Sequence, residues 1–197
     1  MPKQKSGIID LRNFYVAKFN QDGTYEKPVH FPWLKEANTT VNQEEALNHA
    51  DGVVVETVNQ VSSVELAIGM AALSIKEQAM LTGANIDEKG VMIDNSDDIA
   101  PEVAVGFESP KADGSARFVW LYRGRFSIPE ESRQTKNDSI EFQDATINGR
   151  FIPREDDLNI RATVDSNDET VDSEVIDDWF KAPYMYTAET GGEGDTP

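Results

Sequence analysis

The clearest alternation along the chain lies between Val53 and Ala72, where Val64, Leu66, Ile68 and Met70 share one parity while Ser63, Glu65, Ala67 and Gly69 share the other. Side chains on a strand alternate between two faces, so this run predicts a long strand with one apolar and one small or acidic face. A second strong pattern spans Pro101 to Ile128. β-Branched and aromatic residues flank Pro110, Asp113 and Gly114, which supply the restricted and positive φ values a reversal needs, and the segment reads as a hairpin. In its second strand Phe118, Trp120 and Tyr122 share one face and Arg117, Val119, Leu121 and Arg123 the other; the aromatic face is the one expected to be buried.

Other elements follow from local signals. Ile8 to Phe19 predicts a strand that ends in an Asp22-Gly23 reversal. Val29 to Trp33, bracketed by Pro28 and Pro32, predicts a short edge strand, because proline cannot donate to a ladder. The polar stretch Lys35 to Asn48 reads as a long exposed loop with some extended pairing, or with one helical turn capped at Asn42. Ser74, Glu77 and Gly83 mark the start, capping box and stop of one short helix. A small hairpin is expected over Ile86 to Ile93. Ile140 to Ile147 predicts a strand, and Asn148-Gly149 a type I′ turn into Arg150-Phe-Ile152.

These elements describe a mainly β protein, sandwich-like or barrel-like, with one short flanking helix, an extended loop and a C-terminal arm. Two units are expected, a β domain over 1–155 and an acidic extension over 156–197. From Glu155 to Asp178 there are ten acidic residues and one basic, which predicts a solvated and mobile tether. Trp179, Phe180, Tyr184 and Tyr186 then form an aromatic anchor expected to dock on another surface, such as that of a neighbouring subunit. Cutting the chain after Asp178 is therefore expected to leave the subunit folded but to weaken its polymerisation.

Charge narrows the partners. The 197 residues include 36 Asp plus Glu against 18 Lys plus Arg, a net charge of −18. Such a balance argues against a firm grip on nucleic acid or an anionic membrane. Cysteine is absent, which removes disulfides and thiolate metal sites. No apolar run approaches the roughly 18 residues of a membrane span, and Met1 to Lys5 is not followed by a secretory apolar region. Synthesis and folding in a cytoplasm is the expectation.

Catalytic and metal chemistry find little support. Asp94-x-Ser96-x-Asp98 and Asp165-x-Asn167-x-Glu169 open like calcium loops, yet have Ile99 and Thr170 at the glycine position and Val105 and Ile176 at the final glutamate position. His30 and His49 lack partners at ligand spacing. Neither a nucleophile elbow nor a phosphate-cradling glycine loop occurs. Glu102 and Glu108 are the carboxylates to weigh for a hydrolase, which would need an acid raised by an apolar pocket; exposed strand residues are the plainer account. Arg117, Arg123 and Arg125 suit ion pairs with acids of the same or an adjoining subunit better than a nucleic-acid patch. No enzyme activity and no cofactor is expected.

The order of features from residue 8 to 155 resembles the major tail protein family of long-tailed, non-contractile phages of Gram-positive hosts. The resemblance rests on Leu11 to Ala17 with Asp22 to Tyr25 and Pro28-Val29, on Ala50-Asp-Gly52, and on Leu81-Thr-Gly83 with Asp87 to Val91. It rests further on Ala104 to Glu108, Asp113-Gly114, Trp120 to Gly124, Thr135-Lys136 and Ile140 to Gln143. It implies a structural virion protein assembled in the host cytoplasm, with six copies closing into rings that stack into a tail tube. Its implied partners are further copies of itself and the tail terminator, tape measure and distal tail proteins, with DNA passing unbound.

On that reading Ser63, Glu65 and Ala67 are the expected lumen-facing residues, and an acidic lumen leaves the duplex free to slide. Glu44 and Glu45 in the polar stretch, with the four anchor aromatics, are the expected inter-subunit or inter-ring contacts. The competing reading is an acidic β-sandwich that binds a host-surface glycan or protein, with Trp33, Trp120 and Tyr122 as a stacking platform.

Overall fold

The computed structural model describes residues 5–20, 22–50, 53–129 and 144–186. Its strands are β1 (Arg12–Lys18), β2 (Val29–Phe31), β3 (Leu34–Ala50), β4 (Val53–Met70), β5 (Asn85–Ile86), β6 (Met92–Ile93), β7 (Val103–Pro110), β8 (Ala116–Phe126), β9 (Ala145–Phe151) and β10 (Arg161–Asp165). Helices α1 (Ile75–Thr82) and α2 (Ser173–Asp177) complete the set. The expected mainly β, sandwich-like fold is what forms. All strand pairs are antiparallel, and the main sheet runs β2-β1-β7-β8-β9-β4-β3.

Strand β8 makes the sandwich possible because the sheet forks along it. Its first half, Arg117 to Leu121, pairs with β10, whereas Gly124 to Phe126 pairs with β9. Strand β7 runs along its other edge. The main core fills the space between the two groups of strands, with Phe14, Val16, Val105 and Leu121 from one side and Leu66, Ile68, Ile147 and Phe151 from the other. Helix α1 adds Leu81. The predicted apolar face of β4 is fully realised, since Val64, Leu66, Ile68 and Met70 are all buried.

The capping box of α1 forms as expected. Ser74 accepts from the Glu77 amide, the Glu77 carboxylate accepts from the Ser74 amide, and Gly83 closes the helix at φ 82°. Strand β2 pairs with β1 at the sheet edge, and β5 with β6 gives the small hairpin.

Four expectations are corrected. The stretch Lys35 to Asn48 is not a loop or a helical turn: it belongs to β3, which pairs with β4 along its whole length. It is polar because much of it has solvent on both faces. Asn148-Gly149 is not a turn but the middle of β9. Gly149 is required by close approach, because a Cβ there would lie 2.7 Å from the Phe126 ring on the adjacent strand. The aromatic face of β8 is buried, and so is the opposite face, where Val119 and Leu121 enter the main core. Finally, the acidic stretch from Glu155 to Asp178 is no bare tether, since it holds β10 and α2, the latter capped by Asp172. The expectations placed on Thr135-Lys136, on Ile140 to Gln143 and on Asp51-Gly52 lie outside the described residues.

Candidate functional site: a projecting hairpin and a polar sheet face

Strand β9 accompanies β4 only from Met70 to Val64. Beyond that point, from the pair Gln43 and Val61 to the pair Ala50 and Val53, the β3–β4 hairpin is bonded only to itself among the described residues. At about 3.3 Å per residue this is a projection of roughly 25 Å. Among the described residues both of its outer edges are unpaired. Edges of that kind present rows of free N–H and C=O groups that natural proteins cover or pair. Leu47, Val53 and Val58 are exposed on the projection, as are Glu44 and Glu45, which lie opposite Gln60 and Asn59.

The polar face of β4 continues across its neighbours. Glu65 lies opposite Thr40 on one side and Arg150 on the other, and Ala67 lies opposite Asn38 and Asn148. Arg150 in turn lies opposite Arg125 on β8. Glu65 is exposed and Ala67 half-buried. Ser63 departs from the expected set: it is fully buried, its hydroxyl within 3.3 Å of the Asn42 amide beside an irregularity in the β3–β4 register. The open polar face of β4 therefore keeps Glu65 and Ala67 and loses Ser63. The face is also less acidic than expected, because the two arginines come from strands whose neighbourhood the alternation of β4 alone does not reveal.

The aromatic anchor is built against its own subunit. Trp179 is 2% exposed and packs with Phe118, Trp120 and Tyr122 in a second core on the outer face of β1, β7 and β8. Phe180 stacks on Tyr15 with ring centroids 4.6 Å apart, and Tyr184 stacks on Trp179 at 5.6 Å. Two hydrogen bonds fasten the segment: Trp120 Nε1 donates to the Trp179 carbonyl at 2.8 Å, and the Tyr122 hydroxyl donates to the Tyr184 carbonyl at 2.6 Å. Burial pushes the Tyr122 phenol up to about 12, so that donor keeps its proton throughout the neutral range. Trp179 covers the aromatic face of β8, which argues against the expectation that the cut after Asp178 spares the fold. Tyr184 and Tyr186 remain exposed.

The guanidinium of Arg154 sits between the Tyr25 and Tyr122 rings, 5.8 Å from each centroid, and pairs with Asp156. It is nearly buried, and its contact with Met185 ties the end of this aromatic strap, residues 179–186, to the sheet.

The remaining candidate groups are engaged in ion pairs within the subunit. Arg123 donates to Glu102 at 2.9 Å and to Glu155 at 2.8 Å; Arg117 forms a two-point pair with Asp165, which also takes Lys111. Partial burial raises the Glu102 carboxyl, but the hydrogen bond and charge of Arg123, helped by Arg125, hold it below the usual range. The hydrogen bond from Arg117 brings Asp165 down to about 2. Glu108 is buried beneath Arg12 and Asn13, both of which donate to it across a bulge in β1. Neither glutamate stands free in an apolar pocket.

Of the two calcium-like stretches, one is a turn held by the Asp98 carboxylate on the Asn95 amide, and the other has Asp165 occupied by cations of the chain. No cluster of three or more metal-ligating side chains occurs among the described residues. The stacking platform of the glycan reading is dismantled, because Trp120 and Tyr122 are buried while Trp33 is 70% exposed.

No protein-family model matches the sequence, and no curated protein matches it. Among solved structures, a chain from the cryo-EM structure of the anti-feeding prophage baseplate, symmetrised six-fold, is similar at 8% identity and a TM-score of 0.39. The match covers 82% of this chain and 97% of that one.

Proposed function

We propose that this chain is a tube-forming structural subunit of a phage tail, in which copies close into rings, six to a ring, and the rings stack around a channel for DNA. The observation that carries the reading is the β3–β4 projection, with two unpaired edges and exposed Leu47, Val53 and Val58. A strand edge of this length left in water templates uncontrolled aggregation. In a ring it becomes a head-to-tail contact that closes on itself. The ordered sequence features from residue 8 to 155 support the same reading.

In this arrangement Glu44 and Glu45 on the projection, with Tyr184 and Tyr186 on the strap, are the candidate contacts between copies. Trp179 and Phe180 act inside the subunit instead. The sheet face with Glu65 and Ala67 lines the channel. The remaining partners are those of a tail: a terminator, a tape measure protein and a distal tail protein.

Electron microscopy of the full-length protein over a range of concentrations, with and without purified tail-tip complexes as seeds, tests the proposal. Six-fold rings or tubes with a duplex-sized pore are the expected result. Monomers under every condition, seeded ones included, would overturn it.

A further inference from the structure

We propose that Arg125 and Arg150 form a phosphate-binding pair that makes transient contact with the backbone of a passing duplex. Its first support is geometric. The two residues are direct cross-strand partners in the β8–β9 ladder, which places their Cβ atoms about 5 Å apart on one face. Like charges in that relation repel, and a sheet usually avoids them. Both side chains are exposed, and with Thr40, Glu65, Ser127 and Asn148 they line one groove of about 300 Å³.

The carboxylates within reach are shared with other donors. Glu65 lies opposite Arg150, yet its Oε1 accepts from the Asn42 amide at 3.0 Å. Glu102 is held at 2.9 Å by Arg123 and forms a longer ion pair with Arg125 at 3.4 Å, which leaves part of the Arg125 fork open. Arg150 has no ion-pair partner among the described residues. The groove therefore offers two guanidinium forks set among the neutral polar groups of Thr40, Ser127 and Asn148, with the Glu65 carboxylate also in its wall.

The surrounding charge fixes how such a site behaves. On a subunit of net charge −18 an isolated cationic pair holds phosphate weakly, and Glu65 and Glu102 bracket it with negative charge. Each contact is brief, which guides a moving polyanion without arresting it. The identity of the anion as DNA phosphate rests on the tail-tube reading; the oxyanion site itself rests on the groove alone.

The test begins with the full-length unassembled protein, labelled with ¹⁵N at arginine, and inorganic phosphate as the probe. Phosphate is expected to shift the Nε–Hε resonances of Arg125 and Arg150 together, more strongly than acetate does. Arg150→Gln should weaken the effect about tenfold, corresponding to one lost charge-assisted contact, as should Arg125→Gln. No shift, an undiminished shift in either variant, or a stronger response to acetate would overturn the site. A short duplex should displace phosphate from the pair, and in Arg150→Gln the slope of log affinity against log salt should fall by about 1. A duplex that leaves the phosphate-shifted resonances unchanged would overturn the assignment to DNA. Tubes that assemble from a protein blind to phosphate would sink this inference and spare the tail reading, and phosphate binding without tubes would do the reverse.

Discussion

Trp120 donates its indole N–H to the backbone carbonyl of Trp179, 59 residues further along the chain, and both rings are buried. This bond ties the strap that ends the described chain to the central strand of the sheet. The two tryptophans are not equivalent, because the Nε1 of Trp179 is itself buried without a partner.

Trp120→Phe should therefore cost more than Trp179→Phe. The first change leaves the Trp179 carbonyl buried and unpaired, a loss of about 1–3 kcal/mol in addition to lost packing. The second removes a donor that is already unsatisfied. Urea unfolding of both variants, compared at equal slope, measures the difference; the reverse order would contradict the role assigned to the bond.

Removal of the segment after Asp178 should destabilise the fold itself. The cut strips Trp179 and Phe180 from Phe118 and Trp120, comparable with a large-to-small core change of about 3–5 kcal/mol. A fall in thermal midpoint, together with new binding of a hydrophobic dye, is the expected outcome.

Gly149→Asn distinguishes a strand glycine from a turn glycine. In a type I′ turn asparagine would be tolerated. Here any Cβ meets the Phe126 ring at 2.7 Å and the Phe151 ring at 3.1 Å, so a loss of about 1–3 kcal/mol is expected. Chemical denaturation reads it directly.

Acid should weaken the junction of β8 and β10. The Asp165 carboxyl titrates near 2 in the folded state, below the ordinary 3.8, because Arg117 and Lys111 hold it charged. Its contribution is thus complete above about pH 4 and lost as pH falls through 2. Allowing for partial solvent exposure, this amounts to about 1–2 kcal/mol. Asp165→Asn should flatten that part of the stability profile between pH 4 and 2 while leaving the remainder parallel to the parent.

Much of the fold was legible because local physics and tertiary packing agreed. The β4 alternation, the Ser74–Glu77 box and the Asp113-Gly114 reversal each state a local need that the fold satisfies. Misreadings arose where one residue type serves two needs. Gly149 looks like a turn because glycine permits positive φ, but here it makes room for an aromatic ring, as Gly106 does beneath Trp120. Lys35 to Asn48 looked like a loop because strands with two wet faces lack an apolar parity.

The site was less legible. Glu65 could be read from its own strand, but Arg125 and Arg150 become neighbours only through the β8–β9 register, which joins residues far apart in sequence. The docking of Trp179 was half visible: an aromatic cluster announces burial, while its partner surface depends on β8 having a second apolar face.

Strand β8 contributes one side of its backbone ribbon to the main core and the other to the aromatic core beneath the strap. Neither core can lose its wall without disturbing the other, so the two halves of the sandwich lack independent melting points and the subunit unfolds as one cooperative block. The consequence is mechanical: load applied at the strap is carried into one shared spine.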